Sequence, residues 1–253
     1  MGLASVVALL VDGSVPLIVL PQKMYSSLDS FPLLAIPLFI LAGSIMNVGG
    51  ITTSLVGLAR ALVGHLQGGL GHVTIITNVL FSTISGSAAA SAAAVGSMLI
   101  PEMKKDGYRA EDAAVINAAG AILGPIIPPS VVMVIYGAMT GLSIGTLLLT
   151  GIGPGILVAL VLMAAVAILA RRSTLKTYPR AGLADTGRAV WQAIPALIMP
   201  AIIVGGIVSG FFTATEAGVI AVAYGVLFAL GTRRSTLGQL AANLSDATIV
   251  SSS

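Results

Sequence analysis

Apolar residues run through this chain in long blocks, separated by short stretches that are glycine-rich or charged. A helix needs ~20 apolar residues to cross ~30 Å of hydrocarbon, and the blocks sort by that length. Phe31–Met46 predicts a clear span, begun through Pro32 and Pro37 and ended by Asn47-Val48-Gly49-Gly50. Leu142–Ala170 predicts a long unbroken span, and Ile194–Val208 and Ala217–Leu230 predict two more, joined near Gly210–Glu216. Val6–Leu20 is interrupted by Asp12, Gly13 and Pro16 and predicts a partial or broken span; Leu237–Val250 begins a further segment. Ile51–Leu66 carries one charge, Arg60, and predicts an interfacial or short amphipathic helix, followed by a turn over Gly64–Gly71.

Two blocks depart from the simple span. Ala113–Thr140 contains Gly124-Pro125-Ile126-Ile127-Pro128-Pro129-Ser130, inside a run with no charged residue from Ala113 to Ala170. Proline removes backbone donors and breaks the turn before it, so carbonyls in this stretch lose helical partners. In hydrocarbon such oxygens are tolerated only against protein, water or an ion, and broken helices at membrane depth are how secondary transporters build their sites. The other block runs apolar from Val73 to Ile84, meets Ser85-Gly86-Ser87, and resumes as an alanine-rich helix to Ile100. Arms of about 12–14 residues reach roughly 18–21 Å, short of a bilayer. This predicts a re-entrant hairpin with Ser85-Gly86-Ser87 at its tip; the alternative is two full spans that recruit Gly64–Gly71.

Composition agrees with a polytopic all-α membrane protein. Hydrophobic residues make up 57% and charged residues 8%, against about 25% charge in a soluble domain, and mean hydropathy is +1.05. The net charge of +3 comes with no basic patch interleaved with aromatics, which argues against nucleic acid. The chain has no cysteine, so disulfides, thiolate metal sites and a cysteine nucleophile are excluded.

The charges are placed with purpose. Glu102–Asp112 holds seven in eleven residues and predicts an aqueous loop. Arg171–Arg188 carries five basic residues against Asp185 alone, which places that loop in the cytoplasm by the positive-inside rule, with Trp191 at interface height. Counting back from there through the hairpin and the broken span puts every Lys and Arg after Lys23 on the cytoplasmic face.

Candidate chemistry centres on the two interruptions. Ser85 and Ser87 offer hydroxyls and carbonyls at the hairpin tip; Gly124, Ile127 and Pro129 offer carbonyls freed by the prolines. Hard oxygen ligands with no thiolate or imidazole suit Na⁺ rather than a transition metal. The alternative is a plain turn and a plain kink. Glu216, in Thr213-Ala214-Thr215-Glu216-Ala217, is either an intramembrane functional carboxylate or part of a helix cap. His65 and His72 flank glycines, either as interfacial anchors or as a metal pair. Asn78 and Asn117 are buried amides expected to bond between helices. No Ser-His-Asp set, H-E-x-x-H or P-loop occurs, so the chain is not expected to be an enzyme or to carry a cofactor.

Phe31-Pro-Leu-Leu-Ala-Ile-Pro-Leu-Phe-Ile-Leu-Ala-Gly43, Ile84-Ser-Gly-Ser87, Pro101-Glu-Met-Lys-Lys-Asp-Gly-Tyr108, Gly124-Pro-Ile-Ile-Pro-Pro-Ser130 and Phe212-Thr-Ala-Thr-Glu-Ala217 closely resemble the large membrane subunit of TRAP transporters (DctM-like), over nearly the whole chain. The resemblance implies an elevator-type, Na⁺-coupled importer of organic acids (C4-dicarboxylates or related) in the bacterial inner membrane. It also implies a small DctQ-like membrane subunit and a periplasmic substrate-binding protein as partners. The family's first Na⁺ site maps onto Ser85, Ser87, Gly124, Ile127 and Pro129. Residues 1–66 correspond to scaffold-type helices, 67–140 to a transport-type unit, and 141–253 to further spans ending in a truncated segment. The family's inverted second repeat is absent, so a fragment, a truncated product or a split subunit is expected. Ser91 stands where the family usually carries aspartate. The alternatives to transport by this family are a scaffold that only binds partner subunits, and an ion-coupled carrier that uses no binding protein.

Overall fold

Every element among the described residues is helical. The structure, a computed structural model, describes residues 31–171, Leu175 and 178–232, with Pro16, Ile18, Pro21, Gln22 and Tyr25. The expected broken span at Val6–Leu20 (but for Pro16 and Ile18) and the segment at Leu237–Val250 lie outside the described residues. After a 3-10 turn at Phe31–Leu34 come α1 (Ala35–Val48), α2 (Ile51–Val63), α3 (Gly69–Ser85), α4 (Ala88–Lys105), α5 (Ala110–Ala121), α6 (Val131–Thr140), α7 (Ile144–Arg171), α8 (Leu183–Val208) and α9 (Ala214–Gly231). Four of these stretches are long and apolar enough to cross a membrane: Phe31–Val48, Ile144–Arg171, Leu183–Val208 and Ala214–Gly231.

The boundaries differ from expectation in three places. Both hairpin arms are longer than the sequence suggested, because Gly69–Gly71 joins α3 and α4 continues through Pro101 to Lys105. A proline inside a helix forfeits one hydrogen bond, and here the surrounding turns hold. The charged stretch Glu102–Asp112 is therefore mostly helical, with only Asp106–Arg109 between α4 and α5. Its charges fit the helix ends they occupy: Lys104 and Lys105 close α4, and Glu111 and Asp112 open α5, each opposing the local end of the macrodipole. Likewise α8 begins at Leu183, inside the basic stretch expected to be loop, with Asp185 in its first turn.

Helix α3 occupies the centre. Thirteen of its 17 residues are buried, as a helix enclosed on all sides requires. On one side Val73, Phe81 and Ile84 join Phe39, Met46, Leu55, Met199, Ile203 and Ala217 in a core built with α1, α2, α8 and α9. On the other, Leu70 and Ile75 join Met103, Ile116, Leu123, Ile127, Ala159 and Val166 in a second core shared with α4, α5 and α7. Phe81, 2% exposed, is among the largest side chains enclosed in the first face.

Polar contacts at this end of the bundle hold α3 and its neighbours in place. The Tyr108 hydroxyl donates to the Gly68 carbonyl at 2.8 Å and accepts from the Gly71 N–H at 3.2 Å. Arg60 of α2 pairs with Glu102 of α4, and the Tyr178 hydroxyl donates to the Asp106 carboxylate at 2.7 Å. His72 is buried at 3% exposure, so it is an interior residue of α3 rather than a surface anchor. Glu216 resolves as a cap: Thr213 accepts from the Glu216 N–H while the Glu216 carboxylate accepts from the Thr213 N–H at 2.8 Å.

Candidate functional site at two crossed helix breaks

The chain between α3 and α4 turns within two residues. Gly86 closes α3 with φ +59° and donates its N–H to the Ser82 carbonyl at 3.0 Å. A left-handed residue at this place suits glycine. Ser87 then caps α4, its hydroxyl accepting from the Ala90 N–H at 3.4 Å, and the Ser87 carbonyl accepts from the Ser91 N–H at 3.1 Å. The Ser85 hydroxyl reaches the Ser87 carbonyl at 3.4 Å and the Ser91 hydroxyl at 3.2 Å. Ser85 and Ser91 are both buried, so the tip is internally tied.

The break between α5 and α6 spans residues 122–130. Its prolines do what proline chemistry requires: the N–H groups of Gly124, Ile126 and Ile127 still find carbonyls within a turn, whereas the carbonyls of Gly124, Ile127 and Pro129 accept no hydrogen bond among the described residues. Ser130 restarts the helix. Its hydroxyl donates to the Pro125 carbonyl at 2.6 Å and accepts from the Met133 N–H at 3.3 Å, so one buried side chain stitches the two ends of the break together.

The tip and the break meet main chain to main chain. A Cβ at Gly86 would stand 2.6 Å from the Pro129 carbonyl oxygen and 3.2 Å from the Val131 nitrogen. A Cβ at Gly124 would stand 2.7 Å from the Ser87 carbonyl carbon and 2.8 Å from the Ala88 nitrogen. The shortest distance at each glycine is below any real Cβ contact, so only glycine permits the approach. On the far side of the tip, Gly43 of α1 lies against Ser85; on the far side of the break, Gly151 of α7 lies against the Ile126 carbonyl. The tip is thus layered between α1 and the break, with α7 behind.

Of the five residues expected to form one site, four are drawn together: Ser85 and Ser87 at the tip, Gly124 against Ser87, and Pro129 against Gly86. Ile127 turns its side chain away, toward Gly155 of α7, leaving only its carbonyl for the site. Ser130 and Ser91, which the sequence reading gave no role in the site, belong to its immediate surroundings. The signal for Ser130 was the position itself, an N-cap residue straight after two prolines. Two helices, α3 and α5, end at this crossing and two, α4 and α6, begin. Partial negative and positive helix termini therefore face the same small volume. Beside the tip, a cavity of about 350 Å³ is lined by Gly43, Ser44, Asn47, Ser85, Ser87 and Ala90 among others. It offers hydroxyls and an amide and no ionised side chain. Among the described residues no group of three His, Asp or Glu converges to hold a metal.

Comparison with known proteins gives this geometry a context. The model of the DctM component of tripartite ATP-independent periplasmic transporters matches residues 1–253. The chain is 44% identical, over 99% of its length and 58% of the relative's, to the uncharacterized protein YgiK of Salmonella typhimurium. It is 42% identical to the 2,3-diketo-L-gulonate TRAP transporter large permease protein YiaN of Escherichia coli, over 83% of this chain and 50% of the relative. It is also 42% identical to the C4-dicarboxylate TRAP transporter large permease protein DctM of Pseudomonas aeruginosa, over 82% of this chain and 49% of the relative. The chain spans about half the length of the curated relatives it matches. Four span-length apolar helices together with this kinship make it a multi-pass protein of the bacterial inner membrane and a transporter component rather than an enzyme. The hairpin, the proline-broken helix and the similarity along its whole length together identify the chain as a member of the DctM family of tripartite ATP-independent periplasmic transporters.

Proposed function

We propose that this chain forms the first half of the permease subunit of a Na⁺-coupled importer of organic acids, C4-dicarboxylates or related compounds. Na⁺ binds where the hairpin tip crosses the broken helix, held by Ser85 and Ser87 and by the carbonyls of Gly124, Ile127 and Pro129. The observation that carries this reading is the contact of Gly86 with Pro129 and of Gly124 with Ser87, beside carbonyls that no N–H of the described residues satisfies. A buried carbonyl without a partner costs about 1–3 kcal/mol, and a monovalent cation offsets that cost for several oxygens at once. The ends of α3 and α5 add partial negative charge for the ion, and the starts of α4 and α6 add partial positive charge for a carboxylate. The cavity lined by Ser44, Asn47, Ser85 and Ser87 forms one wall of the organic acid's site.

In this reading α3 and α4 form a re-entrant hairpin that moves, with α5 and α6, as part of an elevator-type unit. A small DctQ-like membrane subunit and a periplasmic binding protein that delivers the substrate complete the assembly. The residue types at the crossing support Na⁺ rather than protons, since no carboxylate or imidazole lies among the proposed ligands.

The test is uptake of a dicarboxylate into proteoliposomes holding the complete transporter that contains this chain. Replacing external Na⁺ with choline abolishes uptake, and Ser87→Ala or Gly124→Val raises the Na⁺ concentration for half-maximal rate. An unaltered Na⁺ response in both variants would remove the site assignment.

A further inference from the structure

Two buried amides lie within two helical turns of the crossing. Asn78 is seven residues before Ser85, the last residue of α3, and Asn117 is four residues before Ala121, the last residue of α5, so they stand about two turns and about one turn from their own breaks. The Asn78 amide donates to the Asn117 side-chain oxygen at 3.3 Å and to the Thr74 carbonyl at 3.0 Å. Asn117 in turn donates to the Ala92 carbonyl of α4 at 2.9 Å. One short chain of hydrogen bonds therefore joins both arms of the hairpin to the first half of the broken helix. Asn78 is fully enclosed and Asn117 is 4% exposed.

Each amide also occupies a slot that a side chain would fill. A Cβ at Gly120 would stand 2.9 Å from the Asn78 amide nitrogen, and a Cβ at Gly96 would stand 2.4 Å from that of Asn117. The three helices are thus keyed together by position as well as bonded. Sliding α5 along α3 by one residue, about 1.5 Å, would break both the bridge and the seating of the amides. The same slide would carry Gly124 off Ser87.

The geometry points to Asn78 and Asn117 as positioning residues that set the register of the hairpin tip against the helix break, and thereby the spacing of the cation's oxygen ligands. This rests on the Na⁺ reading above. Neither amide touches the ion; both act through the backbone one to two turns away, as outer-shell groups orient ligands in other ion sites.

The test separates register from bulk. In the complete transporter, Asn117→Ala combined with Gly96→Ala removes the hydrogen bonds while refilling the slot, and Asn78→Ala with Gly120→Ala does the same from the other side. Na⁺ dependence and maximal uptake rate are measured in proteoliposomes beside Ser87→Ala. The expected result is a half-maximal Na⁺ concentration raised about tenfold, with the maximal rate retained at saturating Na⁺. If Ser87→Ala shifts the Na⁺ response and neither paired variant does, the positioning role is overturned while the site stands. A lower maximal rate with unmoved Na⁺ dependence likewise reduces the amides to general packing. If no variant shifts it, the site itself falls and the inference with it. Should a paired variant fail to insert, Asn117→Ser, which is too short to reach Ala92 and Asn78 together, is held to the same criteria.

Discussion

Ser130 holds the Pro125 carbonyl at 2.6 Å within the helix break, and it does so while capping α6 through the Met133 N–H. The side chain is wholly buried. It replaces, with one hydroxyl, part of the backbone bonding that Pro125, Pro128 and Pro129 take away.

Ser130→Ala leaves the Pro125 carbonyl and the Met133 N–H unpartnered inside the protein. The expected loss is about 1–3 kcal/mol, read as a lowered thermal unfolding midpoint of the purified protein in detergent. Ser130→Thr, which keeps the hydroxyl, recovers most of it. An alanine variant with an unmoved midpoint would show that the break is held from elsewhere.

Gly86→Ala and Gly107→Ala make a matched pair. Both glycines have positive φ, +59° and +98°, so alanine strains the backbone at each by about 1–2 kcal/mol. Nothing lies within 4 Å of a Cβ at Gly107, whereas at Gly86 it would meet the Pro129 carbonyl. Gly107→Ala is expected to lower the midpoint modestly and leave uptake intact. Gly86→Ala is expected to cost more stability and to suppress Na⁺-stimulated uptake. Equal behaviour of the two would mean that the close approach has no consequence beyond strain.

Tyr108→Phe removes the donor to Gly68 and the acceptor for Gly71 in a buried place, with an expected cost of about 1–3 kcal/mol. Burial pushes the hydroxyl above its ordinary value, with the Asp106 charge adding to the rise. A raised value favours the protonated form in the fold. That contribution is complete below pH ~10 and fades as pH climbs through the higher folded-state value. Unfolding midpoints measured from pH 7 to 11 are expected to fall at the alkaline end in the unmodified protein and to fall less in Tyr108→Phe.

The backbone punctuation of this fold was legible residue by residue. Pro125, Pro128 and Pro129 act on the chain that contains them, so the break is where the sequence put it. Gly86 between two serines marked the tip for the same reason, and Asn78 and Asn117, polar within apolar helices, had to find each other or an equivalent partner. Helix extents were harder, because hydropathy alone marks Glu102–Lys105 and Leu183–Arg188 as water-facing. These residues remain helical through favourable placement at helix ends, a backbone effect that average polarity hides. His72 stands beside glycines, a pattern that looks like a turn, whereas its 3% exposure within α3 depends on how neighbouring helices pack. The ties Ser85–Ser91 and Tyr108–Gly68 depend on how elements approach, and the latter joins residues 40 apart.

Where Gly86 faces Pro129 and Gly124 faces Ser87, no side chain intervenes to swivel or compress. Backbone against backbone transmits a push with almost no slack, so a displacement of the serine turn drags the proline segment along, and the reverse holds equally. Any motion this protein makes at that crossing is a motion of both segments together, as one stiff block.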